Sequence, residues 1–279
     1  MENGYRQRYR GPLKLAIFDW AGTTVDYGCM APAAAFTELF RRHGVEVTVA
    51  QARGPMGLHK RDHIAAMLQM PEVAKTWRAA HGSAATEDDV ERLFQAFIPL
   101  QLDVLKDYAK VIPGAPECAA ALREKDMKIA GTTGYNEAMM QLCMEGAARD
   151  GYQPDTSVAV TMVPAGRPAP WMAVKAAMDL GIYPFEAIVK IGDTVTDIDE
   201  GRNAGMWTVG VLKTGNELGL SQADAEALPA HELEPRLQPG RTKLAKAGAH
   251  YIVDSVAEVP GVVDTINERL RSEERRVGK

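Results

Sequence analysis

Short apolar runs recur along this chain in alternation with helical patterns, and that rhythm restricts the fold more than any other feature. The runs are "LKLAIF", "MKIAGTT", "SVAVTMV", "AIVKIGD", "WTVGVL" and "HYIVD". Each is short, mostly apolar and ends at a turn, as a buried strand does. Helical patterns fill the intervals over Ala115–Lys125, Glu137–Arg149, Ala169–Leu180 and Asp197–Ala204. Gly181 and Gly205 follow the last two, where a left-handed helix stop is expected. Near-continuous apolar strands alternating with helices predict an α/β fold, a Rossmann-like parallel sheet with helices on both faces.

One region breaks the rhythm. From Ala31 to about Lys106 the pattern is helical and no strand is convincing. Pro32 opens a helix ending near Gly44, and a second begins near Leu58 and stops before Pro71. A third starts at Thr86, whose hydroxyl can cap the amide near Asp89. Its Val90, Leu93, Phe94, Phe97, Leu100, Val104 and Tyr108 form one apolar stripe. The expectation is a small helical cap domain over 31–106, inserted after the first strand, with the core in 12–30 and 107–270. The charged end "RSEERRVGK" (271–279) lacks apolar periodicity and is expected to be a disordered or non-native tail.

Bulk properties exclude several classes. A formal net charge of -5 and a pI near 5.8 give no reason to expect nucleic acid or an anionic membrane surface as partner. Cys29, Cys118 and Cys143 are too few and too scattered for a disulfide framework or a zinc knuckle. No run is long enough to span a bilayer, and the polar N-terminus lacks a signal-peptide core. A soluble, reduced, cytoplasmic protein is expected.

In open parallel sheets, ligands sit beyond the carboxyl ends of the strands. The first predicted strand ends at Asp19, the second at Thr132–Thr133, and "AIVKIGDTVTD" ends at Asp193, with Asp197 four residues on. Carboxylates, a hydroxyl and backbone amides would meet there, and hard oxygen ligands of this kind suit Mg²⁺. Each residue also has a plainer role. Asp197 could equally be a helix cap, Thr133 turn chemistry, and Arg167 a loop cation. Their order, each at or near a predicted strand end, favours a phosphoryl site. Neither a phosphate-binding G-x-x-x-x-G-K-[ST] loop nor a dinucleotide fingerprint occurs.

"FDWAGTTVD", "TTGY", "GRP" and "IGDTVTD", in that order, resemble the four motifs of the haloacid dehalogenase superfamily. "PMGLHKRDH", "TTGYNEAMM" and "VPAGRPAPWM" are similar to the phosphonoacetaldehyde hydrolase (phosphonatase) family within it, a likeness running from about Leu13 to Leu270. The resemblance implies that Asp19 is the nucleophile, that the Ala21 carbonyl and Asp193 join it around Mg²⁺, and that Thr133 and Arg167 hold the phosphoryl group. It further implies that Lys60 forms a Schiff base, and that His63, Met56, Gly57 and Tyr135 surround that lysine or a small phosphonate substrate. His63, three residues on and on the same helix face, is expected to be catalytic, shuttling the lysine's proton. Cys29 falls on a position typical of the family, and the family is typically homodimeric.

Ala21 stands where ordinary phosphatases of this superfamily carry a second Asp, the acid that protonates a leaving alkoxide. A carbon leaving group needs an electron sink instead. An iminium on Lys60 would supply it, and Ala21 leaves room for the lysine arm. On composition alone Lys60, in "HKRDH", reads as a solvated lysine. Two other readings compete: a metal-independent dehalogenase-type hydrolase and a non-catalytic phosphometabolite-binding protein.

Overall fold

The computed structural model describes residues 9–277. All six apolar runs form strands: β1 (Leu15–Asp19), β2 (Lys128–Thr133), β3 (Thr156–Ala159), β4 (Ile188–Gly192), β5 (Trp207–Val211) and β6 (Tyr251–Val253). They make one sheet in the order β3-β2-β1-β4-β5-β6, parallel throughout. The chain leaves β1 toward β2 on one side and returns to β4 on the other, so β1 borders the switch point where such sheets bind ligands. Asp19 lies beside Thr132, and Phe18 beside Ile191. This register brings the ends of β1, β2 and β4 together.

Of the six helices between β1 and β2, the first five form the insert: α1 (Met30–Arg42), α2 (Val49–Arg53), α3 (Lys60–Gln69), α4 (Pro71–His81) and α5 (Glu87–Tyr108). Thr86 and Asp89 exchange hydrogen bonds at the start of α5, as its sequence predicts. Val90, Leu93 and Phe97 of the predicted stripe are buried, whereas Tyr108, at the helix end, is exposed. Phe97 stacks on Phe36 of α1 at 4.4 Å between ring centroids. Burial of each ring contributes roughly 1.5–3 kcal/mol. The two chain crossings into this insert run side by side. Asp26 N donates to Lys110 O at 3.1 Å, Ile112 N donates to Thr24 O at 2.8 Å, and Val25 pairs antiparallel with Val111.

The remaining helices are α6 (Ala115–Arg123), α7 (Glu137–Arg149), α8 (Trp171–Asp179), α9 (Val195–Asn203), α10 (Gln222–Ala227), α11 (Ala230–Ala247) and α12 (Val259–Val277). Strand alternation divides them between two layers. Ala16 and Phe18 share a core with Leu122 of α6 and Ile266 of α12. Leu15 and Ile17 pack with Met172, Ala173 and Ala176 of α8 on the other face. The helix α12 continues to Val277, so its backbone covers much of the expected tail; 278–279 lie outside the described residues. Among the described residues no helix is long and apolar enough to cross a membrane.

Candidate active site

Asp19 closes β1 as a buried carboxylate, and its partner is Arg167, carried on the loop after β3. Arg167 Nη2 donates to Asp19 Oδ1 at 2.7 Å. The same guanidinium is gripped on its other edges. Nη1 stands 3.1 Å from Asp197 Oδ1, Nε donates to Glu200 Oε2 at 3.0 Å, and Nη2 also reaches the Thr132 hydroxyl at 2.9 Å. Lys190, pointing out of the middle of β4, donates to Asp197 Oδ1 at 2.6 Å. Asp197 also keeps the plainer role, since its Oδ2 accepts from the Thr194 amide and hydroxyl at the start of α9. Burial opposes its charge, but Arg167 and Lys190 outweigh burial and hold its carboxyl below the usual range.

Asp193 has different company. Its carboxylate accepts from the Asn216 amide at 2.7 Å and the Thr23 hydroxyl at 3.2 Å, and the Cys29 thiol lies 3.4 Å away. Burial, then the charges of Asp19 and Asp197, pushes its pKa up to about 8. Three buried carboxylates (Asp19, Asp197, Glu200) thus pair with two cations, Arg167 and Lys190, and the buried Asp193 pairs with neither. Oxygens of Asp19, Asp193 and Asp197 come within 4.8 Å of one another. Asp197 is already saturated, whereas Asp193 has no cation and Asp19 only the Arg167 guanidinium, so a bound cation would favour the charged form of both. An acidic, oxygen-only crevice of this kind can hold a divalent cation. Gly22 preserves it, because a Cβ there would overlap Cys29 Sγ and the Asp193 carboxylate.

The insert supplies the opposite wall. Lys60 is the first residue of α3, and only 5% of it is exposed. Its ammonium lies 5.0 Å from the Tyr135 ring centroid and 5.5 Å from that of Phe36. Burial lowers its pKa to about 8, and the positive end of the α3 dipole acts in the same direction. Gly57, at φ +93°, lets the preceding loop lie on the core; a Cβ there would come within 2.6 Å of Thr194 Oγ1.

Together, Asp19, Ala21, Cys29, Met56, Gly57, Lys60, Thr133, Tyr135 and Arg167 line one narrow cleft, with Leu58 and Thr194 beside them. His63 is not on its wall. That ring stacks on Phe36 at 3.8 Å, donates through Nε2 to the Ala52 carbonyl at 2.8 Å, and is kept neutral chiefly by burial. Sequence reasoning missed Phe36, Lys190, Thr194 and Glu200. Two of them left a trace: Lys190 is a lone charge inside an apolar strand, and Glu200 follows Asp197 at helical spacing.

A family model, "haloacid dehalogenase-like hydrolase", matches residues 13–205. A protein of Nitratidesulfovibrio vulgaris named phosphonoacetaldehyde hydrolase is 48% identical over 262 residues, 94% of each chain. One of the same name from Bacillus cereus is 45% identical over 92% of this chain and 97% of its own. The chain belongs to the phosphonoacetaldehyde hydrolase family of haloacid dehalogenase-like hydrolases. A solved structure from this family, a phosphonoacetaldehyde hydrolase-like protein of Oleispira antarctica, is 40% identical. It superposes with a TM-score of 0.94, covering 98% of this chain and 99% of its own. The family's parallel α/β sheet is therefore present here.

Proposed function

We propose that this chain hydrolyses the carbon–phosphorus bond of phosphonoacetaldehyde to acetaldehyde and phosphate. The observation that carries the reading is the buried Lys60 amine, pKa about 8, in the same cleft as Asp19 and Arg167. A lysine at that pKa is substantially neutral near pH 8 and can add to an aldehyde. The names and likeness of the relatives support the substrate.

Lys60 condenses with the aldehyde, losing water to form an iminium. An Asp19 oxygen attacks phosphorus as the carbon–phosphorus electron pair moves toward the iminium nitrogen, leaving an enamine. The enamine takes a proton on carbon, and water hydrolyses the resulting imine to free Lys60 and acetaldehyde. A second water opens the aspartyl-phosphate and releases phosphate. Arg167 holds charge on the phosphoryl oxygens, with the Thr133 hydroxyl beside it. Asp19, Asp193 and the Ala21 carbonyl would hold Mg²⁺, which when bound offsets negative charge on those oxygens. The helical insert acts as a cap that brings Lys60 to the core and excludes water from the imine. His63 sits behind Phe36 and acts through packing, holding the aromatic wall beside Lys60.

Incubation with phosphonoacetaldehyde and Mg²⁺ should release acetaldehyde and phosphate in equal amounts. Borohydride added with the aldehyde should leave a reduced adduct on Lys60, seen by peptide mass. A Lys60→Ala variant that turns over normally would overturn the imine route.

A further inference from the structure

The cleft does not explain Arg53, the last residue of α2 in the insert. Its guanidinium points at the core and reaches carbonyl and amide oxygens. Nη1 donates to Gly28 O at 2.6 Å and to Asn216 Oδ1 at 3.2 Å, and Nη2 donates to Gly219 O at 3.2 Å. Asn216 answers through its side-chain amide, which lies 3.4 Å from Arg53 O. Gly28 belongs to the first chain crossing into the insert, whereas Asn216 and Gly219 lie on the loop after β5. These two segments are themselves joined, Gly28 N donating to Thr214 O at 2.7 Å and Thr214 Oγ1 to Gly22 O at 2.8 Å. The backbone amide of Asn216 then donates to Asp193 Oδ2. One cation on the insert therefore fixes the loop whose amide orients a metal-crevice carboxylate.

We infer that Arg53 is a positioning residue that couples the docked cap to the geometry of Asp193, and through it to divalent-cation affinity. The physics favours a guanidinium here. Three oxygens on two segments surround a planar fork, and each bond is charge-assisted. A lysine would offer one point of contact. Gly219, at φ +63°, gives the fork its space, since a Cβ there would stand 2.9 Å from the guanidinium carbon. The coupling rests on the proposed metal role of Asp193, but part of its test needs neither substrate nor metal.

Mg²⁺ binding to the substrate-free protein is measured by titration calorimetry for wild type, Arg53→Ala, Arg53→Lys and Asn216→Ala. Amide hydrogen exchange is followed without metal. Arg53→Ala should weaken Mg²⁺ binding by about 10-fold or more, the usual cost of losing a group that orients a metal ligand. It should also speed exchange at the Asn216 amide. Arg53→Lys should recover part of the loss. Asn216→Ala should weaken binding in the same direction, and adding it to Arg53→Ala should cost less than the sum, because both act through one loop. If Arg53→Ala destabilises the fold too far, the Arg53→Lys and Asn216→Ala pair carries the comparison. Unchanged Asn216 exchange and Mg²⁺ affinity in folded variants, or full additivity, would overturn the coupling. Hydrolytic activity is not among these readouts, so a wrong substrate would not be mistaken for a wrong role of Arg53.

Discussion

The Lys60 ammonium stands over the face of the Tyr135 ring, 5.0 Å from its centroid, so a cation from the helical insert meets an aromatic ring from the core. Burial favours the neutral amine and lowers its pKa to about 8, although Cys29 and Asp19 nearby favour the ammonium.

Imine formation needs the neutral amine, so the rate should follow its deprotonation. With phosphonoacetaldehyde as substrate, kcat/KM should rise about tenfold per pH unit below 8 and level off above it. A profile flat from pH 6 to 9 would exclude Lys60 as the group that must lose a proton.

Asp19→Asn should retain the fold, since Arg167 keeps Asp197, Glu200 and Thr132 as partners. It should lose phosphate release by on the order of 10³-fold or more, because an amide oxygen is a poor nucleophile. Circular dichroism and single-turnover phosphate release check the two halves. Unimpaired turnover would refute the aspartyl-phosphate.

Glu200→Gln keeps size but removes the charge that anchors Arg167 Nε. Nη2 should then sit less accurately against Asp19, and kcat should fall by roughly 10²-fold with little change in KM. Steady-state kinetics distinguish this from a substrate-binding defect, which would raise KM instead.

Removal of divalent cations should stop phosphate release and leave borohydride trapping of Lys60 intact, because the imine forms on the amine. Re-addition of Mg²⁺ should restore turnover. Phosphate release that persists in chelator would favour metal-independent hydrolysis, as in dehalogenase-type chemistry.

Asp26 gives a stability prediction. It is buried at φ +56° and accepts from the Met30 and Ala31 amides at the start of α1. Burial raises its pKa from 3.8 to about 7. The folded protein thus holds this proton more tightly than the unfolded chain. The resulting contribution is complete below about pH 4 and lost as pH rises through 7, on the order of a few kcal/mol. Asp26→Asn tolerates the same backbone and still accepts a hydrogen bond. Its denaturant midpoint should vary less with pH between 4 and 7 than that of the wild type.

Much of the sheet was readable because β1, β4 and most of β2 and β5 are buried on both faces and, Asp19 and Lys190 apart, carry few charges. The helix α4 escaped because Pro71 reads as a stop. It ends α3 and also opens the next helix, where its missing N–H costs nothing. The helix α11 escaped for a related reason: it carries Pro235 and Pro239 inside, which local propensity penalises and packing of Leu237 and Leu244 overrides. The cleft residues on motifs were legible. Phe36 and Glu200 were not, because their roles depend on tertiary neighbours far away in sequence, His63 and Phe97 for one and Arg167 for the other.

The antiparallel pairing of Val25 with Val111 has an evolutionary implication. The chain enters and leaves the insert side by side there, so the five helices are spliced between two adjacent backbone segments. None of the six strands lies between those segments, so the strand pairing of the sheet does not run through the insert. Variation in the insert can therefore change what Lys60 and Arg53 bring to the core while the sheet beneath keeps its strand order.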